Sequence, residues 1–240
     1  MRRLPPRPPL AARTGNRLQD EASSVARSHD PRAEAARRYD VARGARWFEP
    51  VIAALRGLSG PGERCMFCSG SESSQVEHFW PKRHFPLRAM EWQNFLWVCG
   101  ICNLNKGDRF PQAPQVIDPL SENVWDFCFI DEYGNLSALW RVDVNDVDSR
   151  GDITIKTIGL DRDALQQARQ SRLEDLKRQI NDTLLLFNVG TLNVGDLQHR
   201  LAIWISQPFQ PDVADYFLRG PGGSDQPFAA FLAAVEPNSA

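Results

Sequence analysis

The chain has 240 residues, 42% of them hydrophobic and 24% charged, which is enough to bury a real core as one large domain or as a small domain with substantial extensions. It has no run of eighteen apolar residues and no hydrophobic segment in its Arg- and Pro-bearing start, so neither a membrane span nor export is expected and the cytoplasm is the default location. The formal net charge of -2 hides an asymmetry: residues 1–60 carry +6, residues 61–110 +1 and residues 111–240 -9, so any contact with a polyanion is expected on the N-terminal side.

Residues 1–20 are rich in Arg and Pro with little to bury, and they read as a mobile basic arm. From residue 21 to about 60, helix-like apolar spacing at Tyr39, Val41, Trp47, Val51 and Leu55, broken by Pro31 and Pro50, predicts two or three short helices. Ser59-Gly60-Pro61-Gly62 marks a turn and a module boundary. Residues 61–112 follow as a cysteine-bearing module, with a short strand at Val76–Trp80, an apolar approach at 91–98 and a short helix from Cys102 to Phe110. Past Pro111 and Pro114 the texture turns to strands over 113–160: Val124–Ile130, a hairpin turn at Asp131–Asn135, Leu136–Val144 and Ile153–Ile158. Asp161 is suited to capping a long helix through Leu184, and further helices are expected at 195–206, 211–218 and 227–234, with Gly220–Gly223 as a flexible link. The expected fold class is α+β, with residues 161–240 a helical region whose acidic surface could dock a partner.

The chemistry concentrates between Cys65 and Lys106. Four of the five cysteines form C-x2-C-x30-C-x2-C (Cys65, Cys68, Cys99, Cys102), two thiolate pairs able to fill a closed tetrahedral zinc site; an iron–sulfur centre is the minor alternative. Four thiolates leave Zn²⁺ no open position, so such a metal holds the fold and does not react. Cys128, in Trp-Asp-Phe-Cys-Phe, reads as a buried strand thiol. Glu77, His78 and Asn103 are pinned near the cysteines without a role in zinc binding. Their oxygen and nitrogen donors suit Mg²⁺ or Mn²⁺, with Glu77 and Asn103 as ligands and His78 as the base that takes a proton from an attacking water.

Cys-x-x-Cys, Glu-His-(x2)-Pro-Lys, Trp-x-Asn and Cys-x-x-Cys-Asn-x-x-Lys together resemble the zinc-knuckled HNH endonuclease, or ββα-metal, motif. The resemblance implies a small ββα-metal module in which Glu77 is a metal ligand, His78 the general base, Asn94 a brace of the ββα loop and Asn103 the residue that completes the metal site. Glu stands where Asp is commoner and Asn where many members have His. Lys82, Arg83, Lys106 and Arg109 are placed to meet phosphates. Ile117-Asp118-Pro119, the run Thr157-Ile158-Gly159-Leu160-Asp161-Arg162, Leu165 and Arg169 extend the similarity to the PtuB subfamily of HNH proteins found in Septu-type phage defence and beside some retrons. This implies cleavage of nucleic acid, DNA before RNA, in company with a PtuA-like ATPase partner. The competing expectation is a zinc-stabilised nucleic-acid-binding or adaptor protein that no longer cuts.

Overall fold

The computed structural model describes residues 1–70, 72–110 and 115–236. The protein is a helix-dominated α+β structure with small two-stranded sheets and a four-cysteine cluster. Pro111 and Pro114 lie outside the described residues.

Helix α1 (Ala12–Ala26) buries Leu18 and Val25. Helix α2 (Pro31–Ala42) starts where Asp30 accepts a hydrogen bond from the Ala33 amide at 3.0 Å, with Pro31 in the first turn, where its missing N–H costs nothing. Helix α3 (Glu49–Ser59) turns Val51, Leu55 and Leu58 into the core and stops at Gly60, whose φ of 71° is left-handed. Pro31 and Pro50, expected to break helices, begin them.

The expected mobile arm is folded instead. Met1 is fully buried and its ammonium lies 3.3 Å from Asp212. The Arg3 amide donates to Asp215 at 2.9 Å, and Arg7 donates to the Trp92 and Gln93 carbonyls at 3.1 and 2.8 Å. Acceptors scattered through the chain take up several of the arm's donors, so its Arg-rich composition marks docking and not solvation. The core likewise runs across the expected boundary near residue 60, because Leu55 and Leu58 join Phe67, Phe95 and Val98 in one buried cluster.

Strands β1 (Gln75–His78) and β2 (Phe95–Val98) pair antiparallel, with Glu77 opposite Leu96 and His78 opposite Phe95, and helix α4 (Gly100–Lys106) follows directly. β2 is buried throughout, so the open edge of this pair belongs to β1. Beyond it, β3 (Cys128–Ile130) pairs with β4 (Leu136–Ala138), and β5 (Trp140–Arg141) with β6 (Asp146–Val147). Cys128 is buried in β3 as expected, whereas Val124–Asp126 forms a 3₁₀ turn and not the start of that strand.

Residues 153–158 are not a strand. They lie in helix α5 (Ser149–Ile158), which Asp148 caps by accepting from the Arg150 and Gly151 amides and which Gly159 ends in the left-handed region. The caps and the burial of Thr154, Ile155, Thr157 and Ile158 override the β preference of this run.

Helix α6 (Asp163–Asn188) begins two residues after Asp161, which does not cap it; the cap position is Arg162. Helices α7 (Val194–Ser206), α8 (Pro211–Arg219) and α9 (Phe228–Val235) fall within a few residues of their expected bounds. The segment Pro221–Ser224 is a packed 3₁₀ turn and not a flexible link: a Cβ on Gly222 would stand 2.6 Å from the Tyr216 ring. No helix among the described residues is long and apolar enough to cross a membrane.

Candidate metal centre and active site

The four sulfurs of Cys65, Cys68, Cys99 and Cys102 are buried and lie within 4.8 Å of one another, with Cys68 Sγ and Cys99 Sγ 3.9 Å apart. Zn–S bonds of about 2.3 Å in a tetrahedron put sulfurs roughly 3.8 Å apart, so a slight contraction seats the ion. The cysteines form no disulfide, and burial pushes the Cys65 thiol well above its usual range. Four adjacent buried sulfurs could hold a metal ion at their centre, and the donor set fits zinc.

Local folding explains the cluster. Cys65 and Cys68 sit on a tight turn closed by Ser69 N–H to Cys65 O at 2.8 Å, with Ser69 at φ 58°. Cys99 follows β2 at the N-cap position of α4, and Cys102 lies in the first turn of that helix. A backbone pair, Met66 N–H to Trp97 O at 3.0 Å, ties the turn to β2. From outside, Arg162 Nη2 donates to Cys102 Sγ at 3.6 Å, and Leu165 packs where a Cβ on Gly70 would be. The Gly-Leu-Asp-Arg run thus buttresses the cysteines, a role its sequence did not disclose.

A cleft of about 740 Å³ opens beside this centre along the free edge of β1, and Gln75, Val76, Glu77 and His78 all line it. Successive strand side chains point to opposite faces, and only along an edge can Glu77 and His78 share one cavity. Asn103, from α4, lines it too.

His78 is 3% exposed, and its ring is flanked by Tyr39 at 4.4 Å and Phe95 at 5.3 Å between centroids. Its Nε2 is 2.9 Å from the Ala89 carbonyl, which can only accept, so Nε2 carries the proton and Nδ1 is the basic nitrogen. Burial drops the imidazole to about 3, so it is neutral at physiological pH.

Asn94 is buried and holds the intervening loop: Oδ1 accepts from the Trp80 amide at 2.6 Å, while Nδ2 donates to the Trp80 and Arg88 carbonyls at 3.0 and 2.9 Å. That loop also presents Ala89 to His78.

Glu77 is tied to Lys106. Its Oε1 accepts from Lys106 Nζ at 2.6 Å, and the same ammonium donates to the His78 carbonyl at 2.7 Å. Burial raises the Glu77 carboxyl and lowers the Lys106 amine, and their pairing opposes both shifts. Lys106 has no exposed surface, so it is corrected from a phosphate contact to an internal brace. Asn103 Nδ2 donates to Gln75 Oε1 at 2.5 Å. Gln75 was legible in principle, because period two along β1 puts it on the same face as Glu77.

Of the remaining expected phosphate contacts, Lys82 lines the cleft with Nζ 5.1 Å from the Tyr39 ring, and Arg83 lines it paired to Asp108 at 2.7 Å. Arg109 is exposed, donates to the Thr157 carbonyl at 3.2 Å and does not line the cleft. Tyr39 went unrecognised as a site residue, because its helical spacing read only as core.

No protein-family model matches the chain. A comparison with characterised proteins finds similarity to Septu protein PtuB of Bacillus thuringiensis. The two are 32% identical over 78 residues, which is 30% of this chain and 30% of the relative's length. The chain is thus distantly similar to a Septu component over under a third of either sequence.

Proposed function

We propose that the protein is a metal-dependent HNH endonuclease that hydrolyses phosphodiester bonds of nucleic acid, most readily DNA, as the nuclease of a Septu-like anti-phage system working with a PtuA-like ATPase. The observation that carries this reading is the meeting of Glu77, His78 and Asn103 on one cleft beside a closed four-cysteine centre, on two antiparallel strands and a following helix. The similarity to a Septu protein supports the biological setting.

In this reading the two metal duties are separate. The cysteines hold zinc as scaffold, and Glu77 and Asn103 supply donors for Mg²⁺ or Mn²⁺. When bound there, the divalent ion supplies positive charge against the phosphate and the leaving oxygen. His78 supplies the base: Ala89 fixes its tautomer, Tyr39 and Phe95 fix its plane, and Nδ1 accepts a proton from the attacking water. Lys106 and Gln75 orient the two candidate ligands. Asn94 acts at one remove, through the loop that positions Ala89.

One observation favours the non-cutting adaptor: Lys106 already occupies an oxygen of Glu77. A divalent-ion titration of zinc-loaded protein separates the two readings. The nuclease requires a second, weaker Mg²⁺ or Mn²⁺ site that Glu77→Gln weakens. The adaptor requires none. The ATPase partnership is tested by co-purification with the product of a neighbouring ATPase gene, and no such gene or no complex would remove the Septu setting.

A further inference from the structure

The cleft has a second wall that the nuclease reading does not use. Arg32, Ala36, Tyr39 and Asp40 line it from α2 and Arg43 from its C-cap, at spacings of four, three, one and three residues that continue a single helix face. Tyr39 anchors that face to β1: its hydroxyl donates to the Val76 carbonyl at 2.9 Å and its ring meets His78. Arg32 and Arg43 are eleven residues apart, three helical turns, so they stand about 16 Å apart along the axis with Tyr39 between them. That span equals about five steps of a stacked strand at 3.4 Å per nucleotide.

The electrostatics favour an anion. Arg32 is exposed, and neither it nor Lys82 forms an ion pair among the described residues. Among the described residues Arg43 pairs only with Asp40, at 3.3 Å, and Arg83 only with Asp108, at 59% side-chain exposure. Exposed pairs of this kind are worth about 0–1 kcal/mol, so a phosphate displaces them readily.

We propose that α2 is the second wall of a nucleic-acid groove, in which Arg32 and Arg43 grip the phosphodiester backbone of one strand on either side of the point where Tyr39 meets His78. Lys82 and Arg83 hold the same strand from the turn that follows β1. The assignment rests on the nuclease reading and adds to it the residues that bind substrate. Backbone contacts carry no base information, so the groove binds a strand without sequence preference.

The test is fluorescence anisotropy with labelled single-stranded DNA, duplex DNA and single-stranded RNA of one length, on zinc-loaded protein carrying His78→Ala so that strands stay intact. Adding Arg32→Glu and Arg43→Glu should weaken binding at least tenfold, and Arg32→Ala with Arg43→Ala should lower the log–log salt slope by about 1.5–2. Arg178→Glu, a reversal on α6 away from the cleft, should change neither. All of these arginines are exposed, so thermal melting should be unaffected. The tightest of the three probes identifies the substrate form. Unchanged affinity and slope in the α2 variants, or no binding of any probe before they are introduced, would overturn the groove. If the unsubstituted protein cuts but binding ignores α2, the groove fails and the nuclease stands. If binding depends on α2 but nothing is cut, the nuclease fails and the groove stands.

Discussion

His78 and Lys106 show how burial sets the chemistry of single residues in this site. The imidazole is neutral because no solvent remains to stabilise its charge, with its folded value near 3 against an ordinary 6.5. A depressed value means the unfolded chain takes up the proton first, so the contribution of His78 to stability is fully present above pH 6.5. It is lost as pH falls towards 3, at about 1.4 kcal/mol per pH unit. Denaturant melts at pH 7.5 and 5.5 should therefore differ by about 1 kcal/mol more for the unsubstituted protein than for His78→Phe, and equal differences would show that the buried imidazole is not what titrates. Lys106→Met should leave the partly buried Glu77 carboxylate without its cation and cost up to about 3 kcal/mol, read as a lowered melting temperature. A neutral effect would show that Glu77 does not depend on it. The cysteine cluster was legible because residue type and spacing state its chemistry, and the same stretch of sequence pointed to the cleft that Glu77, His78 and Asn103 line together. Lys106 was misread because a sequence shows a charge but not whether a seven-residue helix turns it inward.

At the scale of elements, the helices with clear ends, α7 to α9, were readable within a few residues. α5 was not: Ile153-Thr154-Ile155 carries strand propensity, and only the caps at Asp148 and Gly159 and packing against the rest of the chain decide for helix. Gly159 has φ 68° and ψ 51°, and a Cβ there would stand 2.6 Å from Asn105 Nδ2, which donates to the Ile158 carbonyl. Gly159→Ala should therefore destabilise by about 1–2 kcal/mol from the left-handed backbone alone, and more where the Asn105 bond is displaced. Thermal unfolding checks this, and an unchanged midpoint would mean that the junction beside Arg162 is not a fixed buttress of the cysteines.

Across the whole molecule, the charge asymmetry seen in the sequence has two different outcomes. Part of the basic N-terminal excess is used inside, where Arg2 donates to the Ser59 carbonyl and Arg3 reaches Asp215, while Arg32 and Arg43 remain at the cleft. The acidic excess is also partly internal: Asp212 receives Arg169 at 2.9 Å and Asp215 receives Trp125 Nε1 at 2.8 Å, both buried. No count of charges by segment could separate these uses, because the partners lie far apart along the chain. Because one core joins the four-cysteine centre to its surroundings, removing a metal held there should unfold far more than a loop. Cys99→Ser, or chelation of the purified protein, should abolish the cooperative melt, whereas full retention of fold would show that the cysteines are not structural. The proposed division, a closed zinc as scaffold beside an open cleft that cuts, is tested best by cleavage of labelled DNA. Unsubstituted protein and His78→Ala, each with zinc measured, are compared with and without added Mg²⁺ or Mn²⁺. One zinc per chain is expected in both, with cutting only by the unsubstituted protein and only with the added ion; undiminished cutting by His78→Ala, or cutting that needs no added ion, would contradict this division of labour.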